Sequence, residues 1–306
     1  MNKFLGIDTS CYTTSVALVN ENKEILFHFE KTLEVKKEKQ GLRQSEAFFK
    51  HVKNLNTIYT KLSQKFDLTE LTSVSVSSKP RNIKDSYMPV FLSGKNFAKT
   101  IATTLNIPLN SFSHQEGHIM ASIYENCNLL KKSFYSIHIS GGTTEVLDVK
   151  YINNRFKIKR LGQSLDINAG QVIDRVGVKL GLDFPCGKEF DKLAQKGDID
   201  LNYPISVKGK DMNFSGIESY GYKNLNSVKK SNNANSIILA ITKTLYKVIK
   251  RLDNKKPIVF TGGVSSNSYL RKNFKNDSNI YFGKKEFSTD NALGIALLGE
   301  MINYET

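Results

Sequence analysis

Cysteine is scarce in this chain. Cys11, Cys127 and Cys186 are the only three in 306 residues, odd in number and widely spaced. They offer no Cys-x-x-Cys metal site, and their scarcity suits a reducing cytosol. Long apolar runs are also missing. No stretch of eighteen apolar residues occurs, so no membrane span is expected. Met1–Asp8 passes straight into a strand-like pattern, leaving no room for a signal peptide, and a cytoplasmic location is expected. Acidic residues fall short of basic ones: 29 Asp and Glu stand against 44 Lys and Arg, a net charge of +15. That imbalance favours a polyanionic partner, nucleic acid first. Lysine-rich runs at 35–39 and 129–132 are equally well explained as solvated faces.

What remains is the composition of a globular protein, 40% hydrophobic and 24% charged, long enough for two domains. Three strand-like runs open the chain at 3–8, 14–19 and 24–29. Ala47, Phe48, Val52, Leu55 and Tyr59 then recur at helical steps within a pattern over 44–66. A short strand at 72–77, a helix at 93–105 and a segment 108–112 follow. From Ser133 the order repeats: strands at 134–140, 144–150 and 156–161, helices near 167–180 and 236–252, a strand at 257–261, a helix near 267–274, a strand at 280–282 and a last helix from Asp290. Such a repeat implies an α/β fold of two sibling domains, each a three-strand meander followed by alternating helices and strands. The boundaries are placed at 1–130 and 131–287, with a C-terminal helix within 288–306 packing back on the first domain.

Two of the five histidines, His114 and His118, lie four residues apart in Ser113-His114-Gln115-Glu116-Gly117-His118. Ser113 and Glu116 read as a capping box at a helix start. Residues i and i+4 share a helix face, so the two imidazoles can meet one metal ion. His114 falls in the first turn, where the helix dipole disfavours imidazolium. Gln115 occupies the place a zincin fills with Glu, which rejects a peptidase reading. A third ligand must come from elsewhere in the chain.

Polar turns separate the first two strands of each repeat, Asp8-Thr9-Ser10-Cys11 in one and Ser140-Gly141-Gly142-Thr143-Thr144 in the other. Each alone is most simply a tight hairpin. At equivalent positions of a repeat, both can offer N–H groups and hydroxyls to phosphate oxygens, which suggests a nucleotide clasped between the domains. Gly262-Gly263 after a strand, with Asn267 near a helix start, adds a second anion-suited segment. Phe184–Asp191 reads as a loop entering a helix, with Asp191 on its first turn.

Together these motifs, with Asp166–Asp191, Phe214–Ile217 and Ser288–Ala292, resemble the TsaD-type tRNA adenosine threonylcarbamoyltransferases. That glycoprotease-like family lies within the actin-like ATPase (ASKHA, RNase H-like) superfamily. The resemblance implies two actin-like domains with an interdomain nucleotide and metal cleft. It implies a divalent metal, Fe2+ or Zn2+, on His114, His118 and Asp290. It implies an adenylate held by His138, Ile139, Ser140, Gly141, Gly142, Asp174, Gly187, Asp191, Gly262, Gly263 and Asn267, with Asp8 and Ser10 near the cleft. The reaction implied moves threonylcarbamoyl from threonylcarbamoyl-AMP to the adenosine 3′ of the anticodon in tRNA. The implied partners are the tRNA anticodon arm, a smaller TsaB-like paralog and a TsaE-like ATPase.

The sequence also departs from the family pattern. Where the family has Ser-Cys-Asp-Glu-Thr, this chain has Ser10-Cys11-Tyr12-Thr13-Thr14 and lacks both carboxylates. The family's Gly-Pro-Gly loop is Lys79-Pro80-Arg81, and Glu218 follows Phe214-Ser215-Gly216-Ile217 where a basic residue is usual. These changes suggest a divergent bacterial paralog. They leave open a carbamoyl- or acyl-transferring relative with another acceptor, and a non-catalytic nucleotide-binding scaffold.

Overall fold

The computed structural model describes residues 2–10, 12–35, 42–288 and 291–304. Contacts divide the chain into two compact units, one drawn from residues 1–35, 41–124 and 289–306, the other from 125–288. Among the described residues no helix is long and apolar enough to cross a membrane.

The first unit holds β1 (Lys3–Ser10), β2 (Thr13–Asn20), β3 (Ile25–Thr32), α1 (Gln44–Ser63), β4 (Leu71–Lys79), α2 (Phe91–Leu105), β5 (Leu109–Ser113) and α3 (His114–Ile123). The second holds β6 (Phe134–Ile139), β7 (Thr144–Ile152), β8 (Arg155–Gln163), α4 (Ala169–Lys179), α5 (Gly187–Ala194), β9 (Ser206–Lys208), β10 (Asp211–Asn213), α6 (Ser215–Lys223), α7 (Lys230–Ile249), β11 (Ile258–Thr261), α8 (Ser268–Phe274) and β12 (Ile280–Phe282). The last helix, α9 (Ala292–Tyr304), belongs to the first unit.

Each unit is built on a five-stranded mixed sheet. Their orders are β3-β2-β1-β4-β5 and β12-β11-β6-β7-β8, one topology used twice. In both, the meander pairs antiparallel and the later strands add in parallel beside the first. Parallel addition needs a crossover, and helices supply it. This is the α/β arrangement that the resemblance implies.

Strand alternation decides which residues meet the core and which meet the site. In β1, Leu5 and Ile7 pack with Val16, Leu18, Leu55 and Ile58, while Gly6 and Asp8 point to the opposite face. That face receives α9. A Cβ on Gly6 would lie 2.1 Å from Ala292 O, and one on Gly294 would lie 2.0 Å from Gly117 O. The missing side chains let α9 press against β1 and α3, which brings the start of α9 to the histidines.

Several boundaries differ from the sequence pattern. The helix expected from Ser236 starts at Lys230, because Asn232, Asn233 and Asn235 are buried rather than solvated. Asn233 accepts from Tyr203 Oη at 2.9 Å and donates to Gly221 O at 2.9 Å, while Asn235 donates to Ile199 O at 3.2 Å. Partnered amides at a helix start do not advertise themselves as core, so hydropathy hid the first two turns. Asp8, Thr9 and Ser10, read as a turn, are strand residues paired with Ser15, Thr14 and Thr13. Their polarity has an internal use. Thr9 Oγ1 donates to Val90 O at 3.0 Å and accepts from Gly94 N at 3.1 Å. Asp191 lies a turn inside α5 rather than on its first turn, since the helix begins at Gly187.

Candidate functional site

In the first unit, Ser113 ends β5 and caps α3. Its hydroxyl accepts from Glu116 N, and Glu116 Oε2 accepts from Ser113 N at 2.7 Å, completing the capping box. The cap fixes where the helix begins, and so the rotation of His114 and His118 on it. Their ring centroids lie 4.6 Å apart. Gln115 N also donates to Pro80 O at 3.1 Å, tying the 79–81 loop to the same first turn.

Asp8, 1% exposed, reaches His114 from β1: Oδ2 lies 2.9 Å from His114 Nδ1, and Oδ1 accepts from Ser10 N at 2.9 Å. Burial alone would raise the Asp8 pKa. The His114 ring, Ser77 and Ser10 outweigh it and hold the carboxyl below its ordinary value. When Nδ1 carries the proton it donates to the Asp8 carboxylate, and in that tautomer the Nε2 lone pair of His114 is left for another partner.

Asn291, just before α9, stands beside both histidines. Its Nδ2 lies 3.0 Å from His114 Nδ1, 3.3 Å from His114 Nε2 and 3.3 Å from His118 Nε2, so one amide touches both rings. Its Oδ1 is buried, with no hydrogen-bond partner among the described residues. Two imidazoles on one helix face, one bonded to a buried carboxylate, fit a borderline divalent cation. Among the described residues no group of three or more His, Cys, Asp or Glu is arranged to hold a metal. Asp290, the expected third ligand, lies outside the described residues, as does Cys11. Asn291 was not singled out from the sequence; its one signal is its place beside Asp290 at the start of an apolar helix.

The second unit presents backbone where the first presents side chains. β6 stops at Ile139, and Ser140–Thr143 form the turn, closed by Ser140 N donating to Thr143 O at 2.8 Å and Thr143 N to Ser140 Oγ at 3.1 Å. Gly141 and Gly142 are exposed, and a Cβ on Gly142 would meet nothing within 4 Å. α4 packs beneath: a Cβ on Gly170 would lie 2.6 Å from Gly141 N and from the Ser140 carbonyl. Asp174, one turn further along α4, accepts from Cys186 N through Oδ1 at 2.8 Å. Its Oδ2 faces Gly141, 3.6 Å from where that residue's Cβ would be. Burial drives the Asp174 pKa up to about 6, against the lowering bond from Cys186 N. Burial, with Asp174 and Asp183 nearby, pushes the Cys186 thiol to about 12, so it is no nucleophile at neutral pH.

His138 comes from β6 into the same region, with Nδ1 3.0 Å from Thr261 Oγ1 on β11; Ser136 Oγ lies 3.1 Å from the same hydroxyl. Thr261 pairs with His138 in the sheet register, a relation legible only once β11 is known to lie beside β6. Gly262 has φ +85°, and a Cβ there would lie 2.6 Å from Ile139 O. Only glycine serves at this left-handed, crowded corner. Gly263 continues into a 3₁₀ turn. A Cβ on Gly187 would meet open space. Thus His138 through Gly142, Gly170, Asp174, Gly262 and Gly263 gather on one side of α4 and β11. Asn267 and Asp191 are spent on α8: Asn267 Oδ1 accepts from Leu270 N at 2.8 Å, and Asp191 accepts from Ser268 N at 2.9 Å and Tyr269 N at 3.4 Å.

Known proteins carry the same pattern. The family model described as TsaD, tRNA N6-adenosine threonylcarbamoyltransferase, matches residues 24–297. A protein of that description from Thermosipho melanesiensis is 35% identical over 312 residues, covering 96% of this chain and 93% of its own. One from Mycoplasma mobile is 33% identical over 304 residues, covering 96% of each. Among solved structures, the activator of the 2-hydroxyisocaproyl-CoA dehydratase from Clostridium difficile with bound ADPNP is similar in fold, at TM-score 0.60 and 15% identity over 99% of this chain and 96% of that one. A match across most of the chain, with relatives above 30% identity over nearly their full length, places this chain in the tRNA N6-adenosine threonylcarbamoyltransferase family.

Proposed function

We propose that the protein transfers a threonylcarbamoyl group from threonylcarbamoyl-AMP to N6 of the adenosine 3′ of the anticodon in tRNA. The observation that carries this is the pairing of the His114 and His118 rings, 4.6 Å apart on one helix face, with Asp8 bonded to the first ring. His114, His118 and Asp290 would hold the metal, Fe2+ or Zn2+; N and O donors suit both. When bound, the metal supplies Lewis acidity toward a phosphate or carbamoyl oxygen.

The chain's own groups have distinct tasks. Asp8 keeps the His114 proton on Nδ1 and fixes the ring's orientation. The Gly141–Gly142 turn turns exposed backbone toward the adenylate phosphate, and Gly170 lets α4 approach that turn without collision. Asp174, with Oδ2 facing the turn, accepts from a ribose or substrate hydroxyl. Gly262 and Gly263 leave room at the nucleoside side, while Asn267 and Asp191 hold the start of α8 in place. His138 keeps its ring oriented on Thr261. Because Tyr12-Thr13-Thr14 lacks carboxylates, the amine's proton leaves to solvent or to the departing phosphate. Most of the rate then comes from positioning a polarised electrophile beside the amine. No covalent enzyme intermediate is needed. The anticodon base must be unstacked to reach the site, and the cationic excess of the chain favours holding the RNA.

The test supplies purified protein with labelled threonylcarbamoyl-AMP and unmodified tRNA, with and without a smaller paralog and an ATPase of the same source. Label at the target adenosine supports the reading. Nucleotide binding without label in tRNA, in both arms, refutes transfer to tRNA and favours a scaffold or another acceptor.

A further inference from the structure

The β7–β8 hairpin extends past the sheet that bears it. The β6–β7 ladder begins at Phe134 opposite Val149, whereas β7 and β8 remain paired out to Ile152 opposite Arg155. Residues 150–157 therefore form a two-stranded ribbon beyond β6. It is closed by Asn153 and Asn154, both left-handed with φ 50° and 57°, the geometry of a type I′ turn.

The ribbon is cationic on one face. Lys150 stands directly opposite Lys157, and Lys159 lies opposite Asp148, so these side chains share a face. All three lysines are exposed. Both hairpin carboxylates are engaged with other cations: Glu145 with Arg160 of the same hairpin at 3.2 Å, and Asp148 with Lys256 at 2.9 Å. Among the described residues, no ion pair joins Lys150, Lys157 or Lys159 to a carboxylate. Like charges directly opposite in a ladder are destabilising.

Lysines on an edge strand ordinarily guard it against pairing with other chains, and β8 is an edge. That accounts for Lys157 and Lys159 on β8 but not for Lys150 on β7. The sibling unit gives the comparison. Its equivalent hairpin, β2–β3, also ends a sheet, yet over 13–32 it carries Lys23 and Lys31 against Glu21, Glu24 and Glu30. Over 144–163 the balance is Lys150, Arg155, Lys157, Lys159 and Arg160 against Glu145 and Asp148. An edge is thus guarded in this protein without a positive excess. Alternate residues of a strand recur about every 7 Å, similar to the separation of neighbouring phosphates along a nucleic-acid backbone.

We infer that the cationic face of the β7–β8 hairpin, with Lys150 and Lys157 on the ribbon and Lys159 just inside it, is a docking surface for the phosphate backbone of the RNA substrate. The inference rests on the tRNA reading above and adds to it a place where the RNA is held away from the reacting groups. Such contacts fix register and carry no base specificity.

The test is the triple substitution Lys150→Glu, Lys157→Glu and Lys159→Glu in the full chain, set against an equal charge reversal at Lys208, Lys255 and Lys272 in the same unit. Glutamate still guards an edge, so folding and adenylate binding stay as in the wild type. Binding of unmodified tRNA is followed by anisotropy at several salt concentrations, with KM and kcat for the tRNA alongside. The ribbon variant is expected to bind on the order of 10- to 100-fold more weakly, with the log–log salt slope reduced by about 2 to 3. KM for tRNA rises and kcat holds. Unchanged affinity and slope in the ribbon variant, or an equal loss in the comparison variant, overturns the docking surface while leaving tRNA transfer standing. A wild-type protein that neither binds nor modifies tRNA removes both.

Discussion

The two five-stranded sheets share one strand order, yet the connection after the first strand is used in opposite ways. In the first unit β1 continues to Ser10, and its polar residues turn inward: Asp8 to His114, Thr9 to the start of α2. In the second unit β6 ends at Ile139, and the next residues expose backbone at Gly141 and Gly142. The same topology therefore presents polar side chains in one copy and exposed main chain in the other. What each unit can bind follows from which groups it exposes, not from the fold that carries them.

Separating the two sites is the sharpest way to test that comparison. His118→Ala should lower transfer by at least about 10²- to 10³-fold and abolish stoichiometric Zn2+ or Fe2+ in the purified protein. Adenylate binding by the second unit should persist. Loss of nucleotide affinity in the same variant would show that the sites do not act separately.

Gly170→Val probes the other side. Its side chain would collide with the Ser140–Gly141 backbone, which cannot yield as a flexible side chain would. A loss of about 3 kcal/mol is expected, read by thermal or urea unfolding, with nucleotide binding lost and metal content kept. Asp8→Asn should be milder for the fold but should weaken metal binding about 10- to 100-fold, measured by competition with a chelator.

Asp174 and Asp166 separate by pH. Asp174 has its pKa raised to about 6, so its charged form opposes folding at neutral pH. That cost is roughly 3 kcal/mol at pH 8 and fades as pH falls from 6 toward the ordinary carboxylate range. Asp174→Asn should therefore stabilise the protein at pH 8, with the difference closing near pH 4, and should weaken adenylate binding. Asp166 shows the reverse: burial raises its pKa, but Ser215, Phe214 N, Ser215 N and Ile167 N hold it at about 2. Its stabilisation is present above the ordinary carboxylate pKa and is lost as pH falls through about 2. Asp166→Asn is the smallest effect expected, a modest loss of stability at pH 6 that disappears in acid.

Much of this was legible in the residue order. The duplicated meander, the Ser113–Glu116 cap and the helical spacing of His114 and His118 follow from local periodicity and capping chemistry, which act over a few residues. The start of α7 was not, because the asparagines there find partners on distant segments. Nor was the role of Thr261 beside His138, which depends on β11 lying next to β6.

The sequence by itself determined the elements, their repetition and the family, since these depend on short-range pattern and ordered motifs. Only the tertiary structure decided that Asp8 lies in a strand and orients His114, and that Asn291 lies between the rings. It likewise showed Asp191 capping a neighbouring helix. Those relations join residues up to 177 positions apart, and the ones around His114 arise where glycines let β1, α3 and α9 approach more closely than any side chain allows.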